Sequence, residues 1–166
     1  MGSGDNMAGS NAEQFQLLTA SMIGKPVLGW RKGYGRTGHL HLGAWRPKPA
    51  LRPTTVHRDE GEWVVFLLGC GRTLTFADGP PGLSSPTDDL ALLELMPRLV
   101  GHRLESVDFD PISLELVLTF SDRWWLALWI DTTDSSDSDQ WVLIHGSVEI
   151  VAFANRRWDV CERGKQ

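Results

Sequence analysis

The chain has 166 residues, of which 42% are hydrophobic and 22% charged, a composition typical of a globular protein with an apolar core. Its net charge is −5 and it has no long run of Lys or Arg, which disfavours nucleic acid or an anionic membrane surface as the main partner. No stretch approaches roughly 18 uninterrupted apolar residues, so no membrane-spanning helix is predicted.

Residues 1–11 are small and polar, and they lack the basic and apolar regions of a signal peptide. We expect them to form a disordered tail. Cys70 and Cys161 are the only cysteines and form no Cys-x-x-Cys motif, which indicates free thiols in a reducing compartment, with a single bridge between them as the alternative. Cys70, which stands between two glycines, is interpreted as a small turn residue whose side chain could be exposed. The sequence therefore predicts a cytoplasmic protein without a disulfide framework.

The chain contains two similar halves, offset by 77 or 78 residues. Apolar positions spaced three and four apart in 15–22 align with those in 92–99, and each set predicts one face of a helix. Gly24 and Gly101 follow these two segments, where glycine suits a C-terminal cap with positive φ. A repeat of this length predicts two related supersecondary units rather than a solenoid.

A second aligned block places Trp63 on Trp141, each followed by strand-forming residues. The predicted fold class is α+β, predominantly antiparallel β, with two tandem helix-plus-antiparallel-sheet repeats packed as one pseudo-two-fold unit. Residues 123–130 are apolar on both sides and are predicted to be a central strand, after a tight turn at Asp122 and Arg123.

The predicted organisation is a tail (1–11), a first repeat with a helix and about four strands (12–79), a Pro- and Gly-rich linker (80–87), and a second repeat with a helix and about five strands (88–160). The predicted strands are 26–34, 38–45, 62–68, 72–77, 103–109, 113–120, 123–130, 140–145 and 147–153.

Four sequence stretches resemble a group of small bacterial proteins: Ile23 to Val27, Gly33 to Gly35, Leu40 to Gly43 and Gly61 to Trp63. These proteins carry an IGKPV…GEW pattern and a second, looser copy. The resemblance covers about residues 15–155 and implies a bacterial, cytoplasmic protein, but no catalytic activity, because the group has none assigned. The chain departs from the pattern at 36–38, where an apolar or aromatic residue is expected.

Histidines provide the one candidate metal site. His39 and His41 lie two apart on a predicted strand and therefore share a face, and His57 joins them if the proline-rich segment folds back. Three histidines around an open position would suit zinc. The alternative is a pair of polar histidines on a solvent-facing strand, and since no carboxylate or cysteine follows at ligand spacing, we assign no metal.

Two further sets of residues are candidates for recognition. Asp134, Asp137 and Asp139 belong to an acidic loop, DTTDSSDSD, whose spacing is not that of an EF-hand, so a solvated loop with a recognition role is predicted. Trp30 and Trp45 would indicate a protein-binding hot spot if they were exposed.

No nucleophile–base pair, phosphate loop or cofactor motif is present, so we predict neither catalytic residues nor a cofactor. The sequence favours a non-catalytic bacterial interaction protein of immunity or accessory type that binds a protein partner. One alternative is a small-molecule-binding protein or enzyme with its site in the groove between the two repeats. Another is a self-assembling β module that pairs through its edge strands.

Overall fold

The computed structural model describes residues 5–35, 37–47, 59–76, 92, 94–131 and 138–163. Within these residues the chain forms a fifteen-residue α-helix and two antiparallel sheets. The helix α1 spans Asp5–Thr19, and the strands are β1 Val27–Lys32, β2 Gly38–Arg46, β3 Glu60–Leu67, β4 Gly71–Phe76, β5 Leu104–Phe109, β6 Leu116–Phe120, β7 Trp124–Trp129, β8 Asp139–His145, β9 Val148–Phe153 and β10 Trp158–Glu162. Short 3₁₀ turns occupy Ala20–Met22, Met96–Leu99 and Ser121–Arg123.

Each sheet combines strands from both halves of the sequence. The six-stranded sheet has the order β1-β2-β3-β8-β9-β10, and the four-stranded sheet has the order β4-β7-β6-β5. Strand β4 thus leaves the meander β1-β2-β3 to pair with β7, and β8 leaves β5-β6-β7 to pair with β3. The expectation of one sheet for each repeat is therefore wrong, since strand order depends on long-range pairing that local periodicity does not encode.

The nine strands predicted from alternation are all present, and β7 lies in the interior of its sheet as expected. The tenth strand, β10, was not predicted, because it is short and lies beyond the aligned repeats. Helix α1 begins at Asp5, so it includes residues assigned above to the disordered tail. Residues 5–11 contribute few apolar positions, which explains why helical periodicity does not mark them.

One hydrophobic core lies between the two sheets and beneath α1. Trp63 and Trp141, on the paired strands β3 and β8, are both buried in it. Their indole N–H groups have different acceptors: Ser21 Oγ at 3.3 Å for Trp63 and the carbonyl of Leu114 at 3.1 Å for Trp141. The remaining fully buried large side chains come from both halves and include Phe15, Met22, Leu40, Leu42, Leu67, Leu74, Leu92, Met96, Leu99 and Phe120.

Cys70 also belongs to this core. Its side chain is completely buried, which corrects the expectation that a thiol between two glycines could be exposed. The reason is the chain path after β3, where the backbone N–H groups of Leu68 and Cys70 both donate to the carbonyl of Gln140, at 3.0 and 3.3 Å. These bonds turn the chain inward toward β4. Cys70 and Cys161 are not joined by a disulfide.

The two sheets are joined where residues 24–27 meet residues 101–104. Gly24 N–H donates to the carbonyl of Leu104 at 2.7 Å, and Gly101 N–H donates to the carbonyl of Val27 at 2.9 Å. Val27 N–H donates to the carbonyl of His102 at 2.8 Å, and Leu104 N–H to that of Lys25 at 2.9 Å. The junction therefore connects the edge strand β1 of one sheet to the edge strand β5 of the other.

Both glycines at this junction have the left-handed backbone expected of helix caps, with φ of 82° for Gly24 and 91° for Gly101. A Cβ built at either position would meet no atom within 4 Å, so backbone strain alone opposes a side chain. We expect Gly101→Ala to lower the free energy of unfolding by about 1 kcal/mol, because alanine disfavours positive φ. Urea denaturation measures this loss.

Gly29→Ala is the matched control. Gly29 lies outside the left-handed region, and its Cβ would make ordinary 3.6 Å contacts with the ring of Trp45. If Gly101→Ala were as stable as the wild type, or if Gly29→Ala lost as much stability as Gly101→Ala, backbone strain from alanine at the positive φ of Gly101 would be disproved.

Candidate functional site

The described residues form an open groove between α1 and the β5–β6 hairpin, with a volume of about 370 Å³. It brings together a helix from the first half of the chain and a hairpin from the second. The groove is lined by Ala12, Phe15, Gln16, Val107, Asp108, Phe109, Asp110, Glu115 and Val117.

The floor of the groove is aromatic and fixed in place. The rings of Phe15 on α1 and Phe109 on β5 are stacked, with centroids 4.2 Å apart. Trp141 and Trp158 meet both rings edge to face at centroid distances between 5.3 and 6.5 Å. These contacts are a favourable aromatic geometry, so they anchor α1 against β5 and hold the groove open.

The rim of the groove is acidic. Asp108, Asp110 and Glu115 are exposed, and no described Lys or Arg lines the groove or forms an ion pair with these three carboxylates. Asp110 accepts hydrogen bonds from the backbone N–H groups of Ile112 at 2.8 Å and Ser113 at 3.3 Å. These bonds stabilise the carboxylate and lower the pKa of Asp110 below its usual value of 3.8.

Two described carboxylates outside the groove, Glu60 and Glu62, are paired with cations. Glu60 receives a bidentate pair from Arg163, with N–O distances of 2.6 and 3.1 Å, and Glu62 lies 3.1 Å from Lys25 Nζ. The Glu60 hydrogen bond raises the pKa of Arg163 above its ordinary value. These pairs link strand ends, whereas no described Lys or Arg is paired with the groove carboxylates.

The groove can therefore hold a group with an apolar stem and a cationic head. Lys and Arg side chains have this form, since their methylene stems bury on apolar surface while the charged end stays at the rim. Within the described residues, no group of three His, Cys, Asp or Glu has the geometry to hold a metal ion.

The predicted histidine pair is formed, but in an aromatic setting. The rings of His39 and His41 lie 6.3 Å apart on the outer face of the six-stranded sheet, with His39 against Phe66 at 4.0 Å. Gly61 N–H donates to His41 Nδ1 at 3.0 Å, so Nδ1 is unprotonated and the proton of the neutral ring is on Nε2. His57 lies outside the described residues.

His41 is 98% buried, so the alternative of two histidines on a solvent-facing strand is wrong for this residue. The reason lies in its neighbours. Val64, Val142, Ile144 and Val151 form a second apolar cluster on the outer face of the same sheet, so that face is not solvated throughout.

The two candidate tryptophans lie on opposite faces of the β1–β2 hairpin. The Trp30 ring covers Gly38 and packs against the core, whereas Trp45 is 43% exposed. The Arg31 guanidinium lies 5.0 Å from the centre of the Trp45 ring, a cation–π distance. The exposed tryptophan is thus Trp45, and its ring is held by neighbours.

The acidic loop is described only at its ends. Asp139 begins β8 and is half-buried, and this burial raises its pKa above the usual 3.8. The buried side chain of Gln140 closes the base of the loop by accepting a hydrogen bond from Asp131 N–H at 2.8 Å. Asp134 and Asp137 lie outside the described residues. The recognition role of this loop stays a prediction.

Smaller features of the described structure have less room. A cavity of about 40 Å³ lies beside Trp63 and His145, whose rings are stacked at 4.4 Å. This volume accommodates about one water molecule. Within the described ranges no helix is both long and apolar enough to cross a bilayer.

No family model, curated protein or solved structure matches this chain. The resemblance to bacterial proteins with an IGKPV…GEW pattern therefore stays a prediction.

We expect the carboxyl carbon of Asp110 to titrate by NMR with a midpoint below 3.8. Its charged form is hydrogen-bonded only in the folded state, so this charge stabilises the fold above the ordinary pKa of Asp and ceases to do so as the pH falls through the lowered value. The Ser113 hydroxyl also hydrogen-bonds the Asp110 carboxylate and helps to lower its pKa, so Ser113→Ala, which removes the hydroxyl but keeps the backbone N–H, should raise the midpoint. Ser106→Ala, which changes a hydroxyl bonded to Asp108, should leave it unchanged.

Proposed function

We propose that this protein is a non-catalytic bacterial interaction protein, of immunity or accessory type, whose groove binds a positively charged segment of a partner protein. The observation that carries the proposal is the combination of a fixed aromatic floor with three carboxylates that no described cation neutralises. A protein partner is favoured over nucleic acid, since phosphates would be repelled by this rim.

Electrostatics determines the kind of partner. Exposed ion pairs each contribute roughly 0.2–1 kcal/mol, so Asp108 and Glu115 mainly provide selectivity and a fast association rate. The apolar contribution comes from Phe109 and from the aliphatic lining supplied by Val107 and Val117. A short segment that alternates basic and apolar residues would use both parts of the groove.

A small cationic molecule is the second candidate ligand. The groove volume of about 370 Å³ lies at the lower end of the range for small-molecule sites, roughly 300–1,000 Å³. Its position between a helix of the first half and a hairpin of the second agrees with the alternative derived from the sequence.

We also propose that the two hairpins and the segments before them are copies packed about a local pseudo-two-fold axis. The junction hydrogen bonds support this, because each has a counterpart at the 77-residue offset. For example, the bond from Gly24 N–H to the Leu104 carbonyl corresponds to the bond from Gly101 N–H to the Val27 carbonyl. The β1–β2 and β5–β6 pairings shift register at matching places, after Val27 and after Leu104 respectively. Trp63 and Trp141, however, lie on adjacent strands of one sheet, so the proposal is confined to residues 15–46 and 92–123.

Fluorescein-labelled tetra-lysine and tetra-arginine peptides test the function, with tetra-glutamate as the charge control. We expect the basic peptides to bind, and Asp108→Asn/Glu115→Gln to weaken binding roughly 2- to 30-fold, as two exposed ion pairs predict. Fluorescence anisotropy at low salt measures both. Spermidine as a competitor distinguishes a small cationic ligand from a peptide. Complete displacement of the labelled peptide by spermidine would indicate that charge alone determines binding and would favour a small cation, whereas incomplete displacement would favour a peptide.

Glu105→Gln is the matched control, since Glu105 is exposed on the same strand but does not line the groove. Ala12→Trp fills the groove without changing its charge and should abolish peptide binding. The proposed function would be refuted if Glu105→Gln weakened binding as much as the groove variant, or if Ala12→Trp bound normally.

A further inference from the structure

The β1–β2 hairpin ends in an exposed tip that contributes nothing to the core. Tyr34 at this tip is 98% exposed. The described residues on either side of the turn are hydrogen-bonded: Gly33 N–H donates to the carbonyl of Thr37 at 3.0 Å, and Thr37 Oγ1 donates to that of Tyr34 at 2.9 Å. A tyrosine side chain offers a large contact area at a low cost in conformational entropy on binding.

Positive charge accompanies Tyr34. Lys32 is exposed at the end of β1, and Arg31 lies above the half-exposed ring of Trp45. We call Arg31, Lys32 and Tyr34 the basic tip. Tyr, Trp and Arg are the residue types that most often dominate binding energy in protein interfaces.

The β5–β6 hairpin carries the opposite charge at its own end. Asp108, Asp110 and Glu115 surround a turn in which Ile112 is 82% exposed. Ile112 occupies the position that corresponds to Tyr34 at an offset of 78 residues. The two hairpins thus each present one exposed apolar side chain, with cations around the first and carboxylates around the second.

These two ends point away from each other. Pro26 and Arg103 form an antiparallel bridge, so β1 and β5 run in opposite directions from the junction. Each strand has six residues and extends about 20 Å, which separates the two hairpin ends by about 40 Å. The basic tip therefore cannot reach the acidic groove of its own molecule.

We propose that the basic tip of one copy of this chain docks into the acidic groove of a second copy, head to tail. This inference rests on the proposed function, because the groove is the receptor in both. Complementary surfaces at opposite ends of one molecule produce a heterologous contact, which can extend to further copies. A hairpin tip buries less area than a standard interface, so the association is weak and reversible.

The net charge of −5 does not prevent this contact. At 0.1 M salt the Debye length is about 10 Å, which screens repulsion between the distant charges of two copies but leaves ion pairs in direct contact. Association should therefore be detectable near 0.1 M salt and should weaken several-fold at 0.5 M.

Sedimentation velocity of the full chain over a range of concentrations tests the proposal. We expect wild-type protein to show concentration-dependent association, and Tyr34→Ala, which changes no buried contact, to weaken it several-fold. Two charge-reversed proteins, Arg31→Glu/Lys32→Glu and Asp108→Lys/Glu115→Lys, should each be monomeric. An equimolar mixture of the two should associate again, because each interface then pairs opposite charges.

Arg98→Glu and Glu105→Lys are matched controls, since both residues are exposed and lie outside the tip and the groove. They should associate like the wild type. A wild-type protein that stays monomeric at millimolar concentration, or a mixture of the reversed proteins that stays monomeric, would overturn the proposal.

An Arg31→Gln/Lys32→Gln protein, whose neutral tip offers tetra-lysine no new acidic site, separates this inference from the proposed function. If it binds tetra-lysine while the wild type does not self-associate, the groove function stands and the head-to-tail contact is wrong. If it fails to bind tetra-lysine, the groove itself is refuted. Binding of a thymidine homo-oligonucleotide by a monomeric wild type, lost on reversal of the tip, would replace the second copy with nucleic acid.

Discussion

The backbone pairing between residues 24–27 and 101–104 is the constraint on which the rest of this structure depends. It connects an edge strand of each sheet, so it fixes the angle between the sheets and the depth of the core between them. The pairing is made by main-chain groups and includes two glycines with positive φ. Ile23 and Val100, which flank the glycines, are both largely exposed and add little to its stability.

The two hairpins have similar backbone pairing but different side chains. The strands share the position of a register shift, and the turns beyond them carry opposite charges. This difference between the strands and the turns has a physical basis. Burial and hydrogen bonding constrain the strand residues, whereas exposed turn residues contribute little to the folding free energy. Surface chemistry at the two ends can therefore change without loss of the fold.

Alternation and glycine positions were sufficient to predict nine strands, the turn at Asp122 and the positive φ of Gly24 and Gly101, although both glycines follow 3₁₀ turns. The strand exchange between sheets was not predictable, since period-two patterns identify a strand's faces but not its neighbours. The groove was missed for a similar reason. In the sequence, Asp108 and Glu115 have the pattern of ordinary solvated charges. They line a groove only because Phe15, far away in sequence, stacks on Phe109. The burial of His41 likewise follows from the apolar outer face of the sheet, which no local pattern indicated.

The exchange of strands between the sheets has a consequence for synthesis of the chain on the ribosome. Strand β3 receives its second neighbour only when β8 emerges, after most of the chain has been made, and until then its open edge is available to other nascent chains. The pairing of β3 with β8 is also long-range, and contacts of this kind slow folding because loop closure must precede them. The first half thus cannot complete its sheet alone. Until β8 has been synthesised, the nascent chain is exposed to chaperones and to aggregation.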